Sequence, residues 1–293
     1  MVDLEAIINQ KNAADAKWKA DRQAQRKEIT DAQDEGITQI TTDPDTYARY
    51  LTMQGDNFTY SPGNIALVMQ GMPTATVFGT VDRWRNLGRS VDSMELNRGV
   101  KIFARSANRK GYDLTSAYDI SQTAGRDLRT IQIKDDSPEM AVAMQTLLNY
   151  SPVPVVADLE METPAFYDAQ SLELAIRPGY PDHEAFAAIA AEVAHARFHN
   201  RGRNGDYHRP ESELDAQSIS YILCRHLGIS RDLPDLSRLP DLYQDGPTES
   251  RKSILDGIQD MSKMIGTSIE REITPQQRTI QVNRRPPARQ GPR

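Results

Sequence analysis

The stretch that most constrains this chain runs from Ala188 to His199: Ala-Ile-Ala-Ala-Glu-Val-Ala-His-Ala-Arg-Phe-His. It is rich in alanine and holds neither glycine nor proline, so it is predicted to be helical. With 3.6 residues per turn, Glu192, His195 and His199 fall at i, i+3 and i+7 and share one stripe of that helix.

Glu192-x-x-His195 is the back half of the pattern His-Glu-x-x-His, in which two histidines one turn apart bind zinc and the intervening glutamate acts as general base. The place of the first histidine is taken by Ala191. The chain therefore carries either a metal site that has lost a ligand or one in a shifted register that recruits His199, with Glu192 as base only if the site is active. A catalytic zinc needs three protein ligands and an open position for water, and in the unshifted pattern Ala191 supplies none.

The surrounding chain reads as a string of short elements. Residues 3–35 form a long polar helix with Gly36 as a plausible stop. Thr42-Asp-Pro-Asp starts a helix with Tyr47, Tyr50 and Leu51 on one face, and Ser61-Pro-Gly-Asn starts another. Strands are expected near Thr76–Phe78, Gly99–Ala104 and Tyr112–Thr123, the last two forming a hairpin around the turn Asn108-Arg-Lys-Gly. Trp84 is expected in the core. After a boundary at residues 124–136, Ser137 caps a helix reaching Leu148. Strands follow at Val153–Ala157 and in two pieces between Phe166 and Ile176. The alanine-rich helix opens near Asp182, and residues 202–206 are a loop. A helix from Glu211 to Leu227 stops at Gly228, and a last helix spans Ser250–Met264. Residues 275–293 hold five arginines, four prolines and no acid, the composition of a disordered tail.

Charge is uneven. The net charge is −6, yet residues 83–110 hold eight basic side chains against two acidic ones, while residues 131–270 hold 12 basic and 23 acidic. A basic stretch confined to the first half suits either a nucleic-acid contact there or a solvated surface with ordinary local clustering, and charge alone favours the second. No apolar run approaches the roughly 20 residues of a membrane span. The first 35 residues have no apolar segment of a secretory signal. The single Cys224, read as a small core residue, fits a reducing compartment. A cytoplasmic location is expected.

Two blocks carry a resemblance. Tyr60-Ser-Pro-Gly-Asn64, Gln70-x-x-Pro73-x-Ala75-Thr76, Trp84-x-x-x-Gly88-Arg89-x-Val91 and Gly99-Val-Lys-Ile resemble the N-terminal, single-stranded-DNA-binding domain of the antirestriction protein ArdC family. The Glu192-x-x-His195 helix and Glu213-Leu-Asp-Ala216 resemble the zincin-like metallopeptidase domain that follows it in that family, where a glutamate on the next helix is the third metal ligand. Glu213 matches that position. The resemblance implies a protein of a plasmid, phage or conjugative element.

The expected fold is α+β: a small mixed N-terminal domain with a β-hairpin, then a mainly helical zincin-like domain with a small sheet. The expected divisions are a polar helix over 1–39, a DNA-binding domain over 40–134, a degenerate zincin-like domain over 135–272 and a tail over 273–293. DNA contacts are assigned to Tyr60, Asn64, Arg83, Arg85, Arg89, Lys101 and Arg105, with Arg89 and Lys101 as the foremost phosphate contacts. Metal ligands, if any, are His195, Glu213 and His199. Single-stranded DNA is the expected partner, the C-terminal domain could dock a protein, and no membrane is involved. No cofactor is expected; a zinc peptidase using the shifted His195/His199/Glu213 set is the alternative.

Overall fold

The computed structural model describes residues 2–106, 111–200, 207–243 and 246–283, with side chains through residue 274. The fold is α+β, built from two compact units that do not follow chain order. One contains residues 1–41 and 61–127, the other residues 42–60 and 128–293. The expected Asn108–Gly111 turn and the 202–206 loop fall largely outside the described residues.

The first unit opens with α1, Leu4–Thr42. The helix passes straight through Gly36, which is not a stop. A Cβ at Gly36 would lie 3.0 Å from the Cβ of Ala66, so this glycine lets α1 approach α3 (Pro62–Gly71) closely. Gln33, Ile37 and Ile40 are buried near it, whereas Leu4, Ile7, Ile8 and Trp18 are exposed. Helix α3 is capped as expected, Ser61 accepting the Asn64 amide with proline in the first turn.

Strand β1 (Phe78–Thr80), helix α4 (Val81–Asn86), β2 (Arg89–Val91), β3 (Val100–Arg105), β4 (Tyr112–Asp119) and β5 (Thr123–Gly125) complete this unit. The antiparallel sheet has the order β1-β4-β3, and β2 pairs separately with β5. Trp84 is fully buried, its indole donating to the Tyr118 carbonyl at 3.0 Å. The expected return strand is interrupted after Asp119, whose side chain caps a short 3-10 turn, Ile120–Gln122. Beyond that turn the chain pairs with β2 as β5.

In the second unit, α2 (Pro44–Asp56) buries Tyr47, Tyr50 and Leu51 as its pattern predicts. Their partner is α7 (Arg209–Leu227): Tyr47 Oη lies 2.9 Å from Ser218 Oγ, and Asp56 holds Arg225 at 2.8 and 2.9 Å. This departs from the expectation that residues 40–60 pack with the N-terminal domain, because apolar side chains follow complementary surface, not sequence neighbours. The remaining elements are α5 (Pro138–Leu148), β6 (Val155–Ala157), β7 (Ala165–Asp168), β8 (Glu173–Ile176), α6 (Asp182–Asn200), α8 (Leu239–Tyr243) and α9 (Thr248–Asn283). Strand β8 lies between β6, parallel to it, and β7, antiparallel. Gly228 ends α7 at φ 67°, the left-handed cap for which glycine carries no Cβ penalty. The last helix runs past Met264 to Asn283, so the expected tail is helical over residues 275–283, and the rest of it lies outside the described residues. Cys224 is fully buried, which pushes its thiol up to about 11. Among the described residues no helix is long and apolar enough to cross a membrane.

Candidate functional site

The basic stretch of the first unit resolves into side chains with different duties. Arg89 donates to Thr123 Oγ1 (2.8 Å), the Thr123 carbonyl (2.9 Å) and the Arg126 carbonyl (2.6 Å). It clasps β2 to β5, and most of its fork is committed. Asn64, nearly buried, donates from its amide to the Phe103 carbonyl at 2.8 Å and accepts the Phe103 N–H at 3.0 Å. It satisfies the open side of β3, an edge strand, as another strand would. Arg85 pairs with Asp82 at 2.9 Å and Arg98 with Glu95 at 2.9 Å. Arg83 is half-buried on α4. Tyr60 falls in the second unit, where its carbonyl accepts from Gln54 Nε2. Of the seven expected DNA contacts, Asn64 and Arg89 are bound into the framework of the first unit, and Tyr60 belongs to the second.

Lys101 and Arg105 are brought together. On β3 they alternate with Phe103 on the face opposite buried Ile102. Across the hairpin, Lys101 stands opposite Ser116, Phe103 opposite Leu114 and Arg105 opposite Tyr112, and paired residues share a face. Lys101 and Arg105 are exposed and, among the described residues, make no ion pair. Tyr112 is 53% exposed. Arg26 of α1 reaches this face too, donating to the Tyr112 carbonyl at 2.6 Å with its guanidinium 5.7 Å from the Phe103 ring centre. The face interleaves cations with aromatic rings. Tyr112 and Arg26 were not found from sequence. The alternation Lys-x-Phe-x-Arg was a visible signal for the first strand only, and Arg26 joins through tertiary packing.

In the second unit the Glu192/His195/His199 stripe is inward and buried. His195 is fully buried. Its Nδ1 lies 2.9 Å from the Tyr207 hydroxyl, and its Nε2 lies 3.2 Å from Glu213 Oε2. That approach is off the line of a hydrogen bond, so among the described residues Nε2 has no well-directed partner. The His195 ring, with Gln217 and Arg209 assisting, holds the Glu213 carboxyl down to about 2. His199 turns to other partners: its Nδ1 lies 2.6 Å from the Tyr167 hydroxyl and its ring stacks on Tyr207 at 4.8 Å. Burial pushes Tyr207 up to about 12, keeping it a neutral hydrogen-bonding group.

Glu192 is not placed as a base. Its Oε2 accepts the Tyr167 N–H of β7 at 2.8 Å and Arg209 Nη1 at 3.0 Å, and its Oε1 accepts Arg209 Nη2. Arg209 also has its Nε 3.6 Å from Glu213 Oε2 and its guanidinium 4.8 Å from the Phe166 ring centre. Burial works against the charge on Arg209, but the bonds to Glu192 outweigh it and its pKa is raised. Sequence reasoning missed Arg209. Its spacing of four from Glu213 was legible; its fork onto Glu192, 17 residues upstream, was not.

Zinc, the metal this motif calls for, does not fit these residues. Two donors, His195 Nε2 and Glu213 Oε2, stand together, but residue 191 is an alanine with no donor to offer and a guanidinium already holds the neighbouring carboxylate. Among the described residues no three His, Cys, Asp or Glu side chains form a metal-holding group. The shifted His195/His199/Glu213 set forms no such group among the described residues, where His199 Nδ1 lies against the Tyr167 hydroxyl.

Among solved structures the chain is similar to the antirestriction protein ArdC from plasmid R388. The metal-free form aligns with TM-score 0.46 at 15% identity, over 74% of this chain and 86% of that one. The Mn(II)-bound form aligns with TM-score 0.44 at 16% identity, over 73% and 85%. The chain resembles ArdC. A curated Bacillus anthracis protein, the uncharacterized pXO2-81, is 22% identical over 325 residues, covering 92% of this chain and 55% of that protein. The chain spans about half the length of that relative. No protein-family profile matches it.

Proposed function

We propose that the first unit binds single-stranded DNA, in an antirestriction-like role for a mobile genetic element, and that the second unit is a zincin-like scaffold without peptidase chemistry. The observation that carries the DNA reading is the β3–β4 face, where Lys101, Phe103 and Arg105 alternate opposite an exposed Tyr112. Sequence-tolerant single-strand binding needs cations along the phosphates and aromatic rings for the bases to stack on. Lys101 and Arg105 are the proposed phosphate contacts and Tyr112 the proposed stacking ring. The antirestriction role is drawn from the resemblance of the Tyr60–Ile102 blocks to the ArdC family. Arg89 and Asn64 pass from the DNA contacts to the framework that holds the face.

The test is fluorescence anisotropy of the full chain on a labelled oligo-dT strand and on a duplex. The single strand binds tighter, and affinity falls with salt as counterions are released. In the double variant Lys101→Ala/Arg105→Ala the single-strand salt slope drops by about 0.7 for each phosphate no longer neutralised. Tyr112→Ala weakens binding by about 1–3 kcal/mol with little change in that slope. Wild-type affinity in the double variant, or no salt-sensitive binding by the native chain, refutes the proposal.

A further inference from the structure

His195 and Glu213 retain a feature of a metal centre that the missing histidine does not erase. Two ligands on a tetrahedral zinc, each about 2.0–2.2 Å from the ion, stand roughly 3.3–3.5 Å apart. His195 Nε2 and Glu213 Oε2 stand 3.2 Å apart. The Nε2 atom is buried and, among the described residues, has no well-directed partner, and the Tyr207 hydroxyl on Nδ1 orients the ring as outer partners of metal-bound histidines do. The ligand edge is built.

Facing that edge is a fixed positive charge. A guanidinium stays protonated in proteins, so it cannot yield its charge to make room for a dication. Arg209 forks onto both oxygens of Glu192 and brings Nε to 3.6 Å from Glu213 Oε2. The carboxylate that would bind metal and the carboxylate that would serve as base are both neutralised by this one side chain. It also donates to the Tyr167 carbonyl at 3.4 Å, so the same fork joins α6, α7 and β7.

We propose that Arg209 is the resident cation of this site: it stands in for the charge of a divalent metal, holds Glu192 as a structural acceptor and keeps zinc off the His195–Glu213 edge. Zinc exclusion then has two separable causes, the alanine at 191 and the arginine at 209. Restoring the histidine alone leaves the guanidinium in place, and both changes are needed for a strong site. This role for Arg209 rests on the zincin-like reading of the second unit and is independent of DNA binding by the first.

The test is calorimetric titration of Zn(II) into the EDTA-stripped full chain and its variants. The wild type gives no saturable binding through His195. Ala191→His/Arg209→Gln binds zinc about 10- to 100-fold tighter than Ala191→His alone, the scale on which outer partners tune metal affinity. Ala191→His/Arg209→Lys, which keeps the charge without the fork, stays near Ala191→His. Equal zinc affinity in Ala191→His with and without Arg209→Gln, both folded by circular dichroism, overturns the proposal. Because Arg209 also ties three elements together, a wild-type measurement stands apart from any loss of folding. The thermal midpoint of the native chain is unmoved by Zn(II), and a saturable rise that His195→Ala abolishes overturns the proposal as well.

Discussion

Asn64 and Arg89 look from sequence like polar and basic groups available to a ligand, yet both are consumed by the framework. Asn64 replaces the strand that β3 lacks, and its side chain bonds both the N–H and the carbonyl of Phe103. Asn64→Ala leaves a backbone N–H and a carbonyl without these partners at a nearly buried site. A destabilisation of about 1–3 kcal/mol is expected, read as a lower urea midpoint with unchanged slope. Under folded conditions this variant binds oligo-dT with an unchanged salt slope, unlike Lys101→Ala/Arg105→Ala. A changed slope would place Asn64 among the phosphate contacts after all. Arg209 is the counterpart on the other unit: it reads as an ordinary basic residue at a helix start, and its role exists only because Glu192 and Glu213 converge on it.

At the scale of elements, the α1–α3 pair depends on closeness. The approach is set by Gly36, where even one added carbon would meet Ala66 Cβ at 3.0 Å and Gln70 at 3.2 Å. Gly36→Val forces α3 away and with it Asn64, which begins that helix. The expected cost is about 1–3 kcal/mol of overpacking, checked by chemical denaturation; stability equal to wild type would show that the two helices can separate without penalty. The same elements were well marked locally. Ser61, Ser137 and Gly228 sit at the helix ends their side chains or backbone angles suit, because a cap involves only residues within a turn. Gly36 misleads for the same reason: its local signal is a stop, and its actual role is to a helix about thirty residues on.

For the molecule as a whole, the two units are each assembled from segments that lie apart in the chain. A fragment over residues 40–134 follows the sequence-level boundary and cuts both. It removes the part of α1 that supplies Gln33, Gly36 and Ile37 to the first unit, and it strips α2 of α7, the helix that covers Tyr47. Such a fragment is expected to show no cooperative thermal transition by near-ultraviolet circular dichroism, whereas the full chain shows one. A sharp transition in the fragment would mean that α2 and the interrupted unit fold without these partners.

The sequence alone determined most helix starts, the caps at Ser61, Ser137 and Gly228, the hairpin, the buried Trp84 and the α+β class, and a resemblance pointed to Glu213 as the partner of His195. Those follow from periodicity, turn chemistry and motif spacing, which act over a few residues or are carried by a resemblance. Tertiary structure decided which cations are spent and which face solvent, that α2 belongs with α7, and that Glu192 is held by Arg209. Each of these depends on which distant groups a folded chain can bring within hydrogen-bond reach. A charge such as Arg89 or Arg209 can be read off the chain, but its use is set by the partner that desolvation and packing place opposite it.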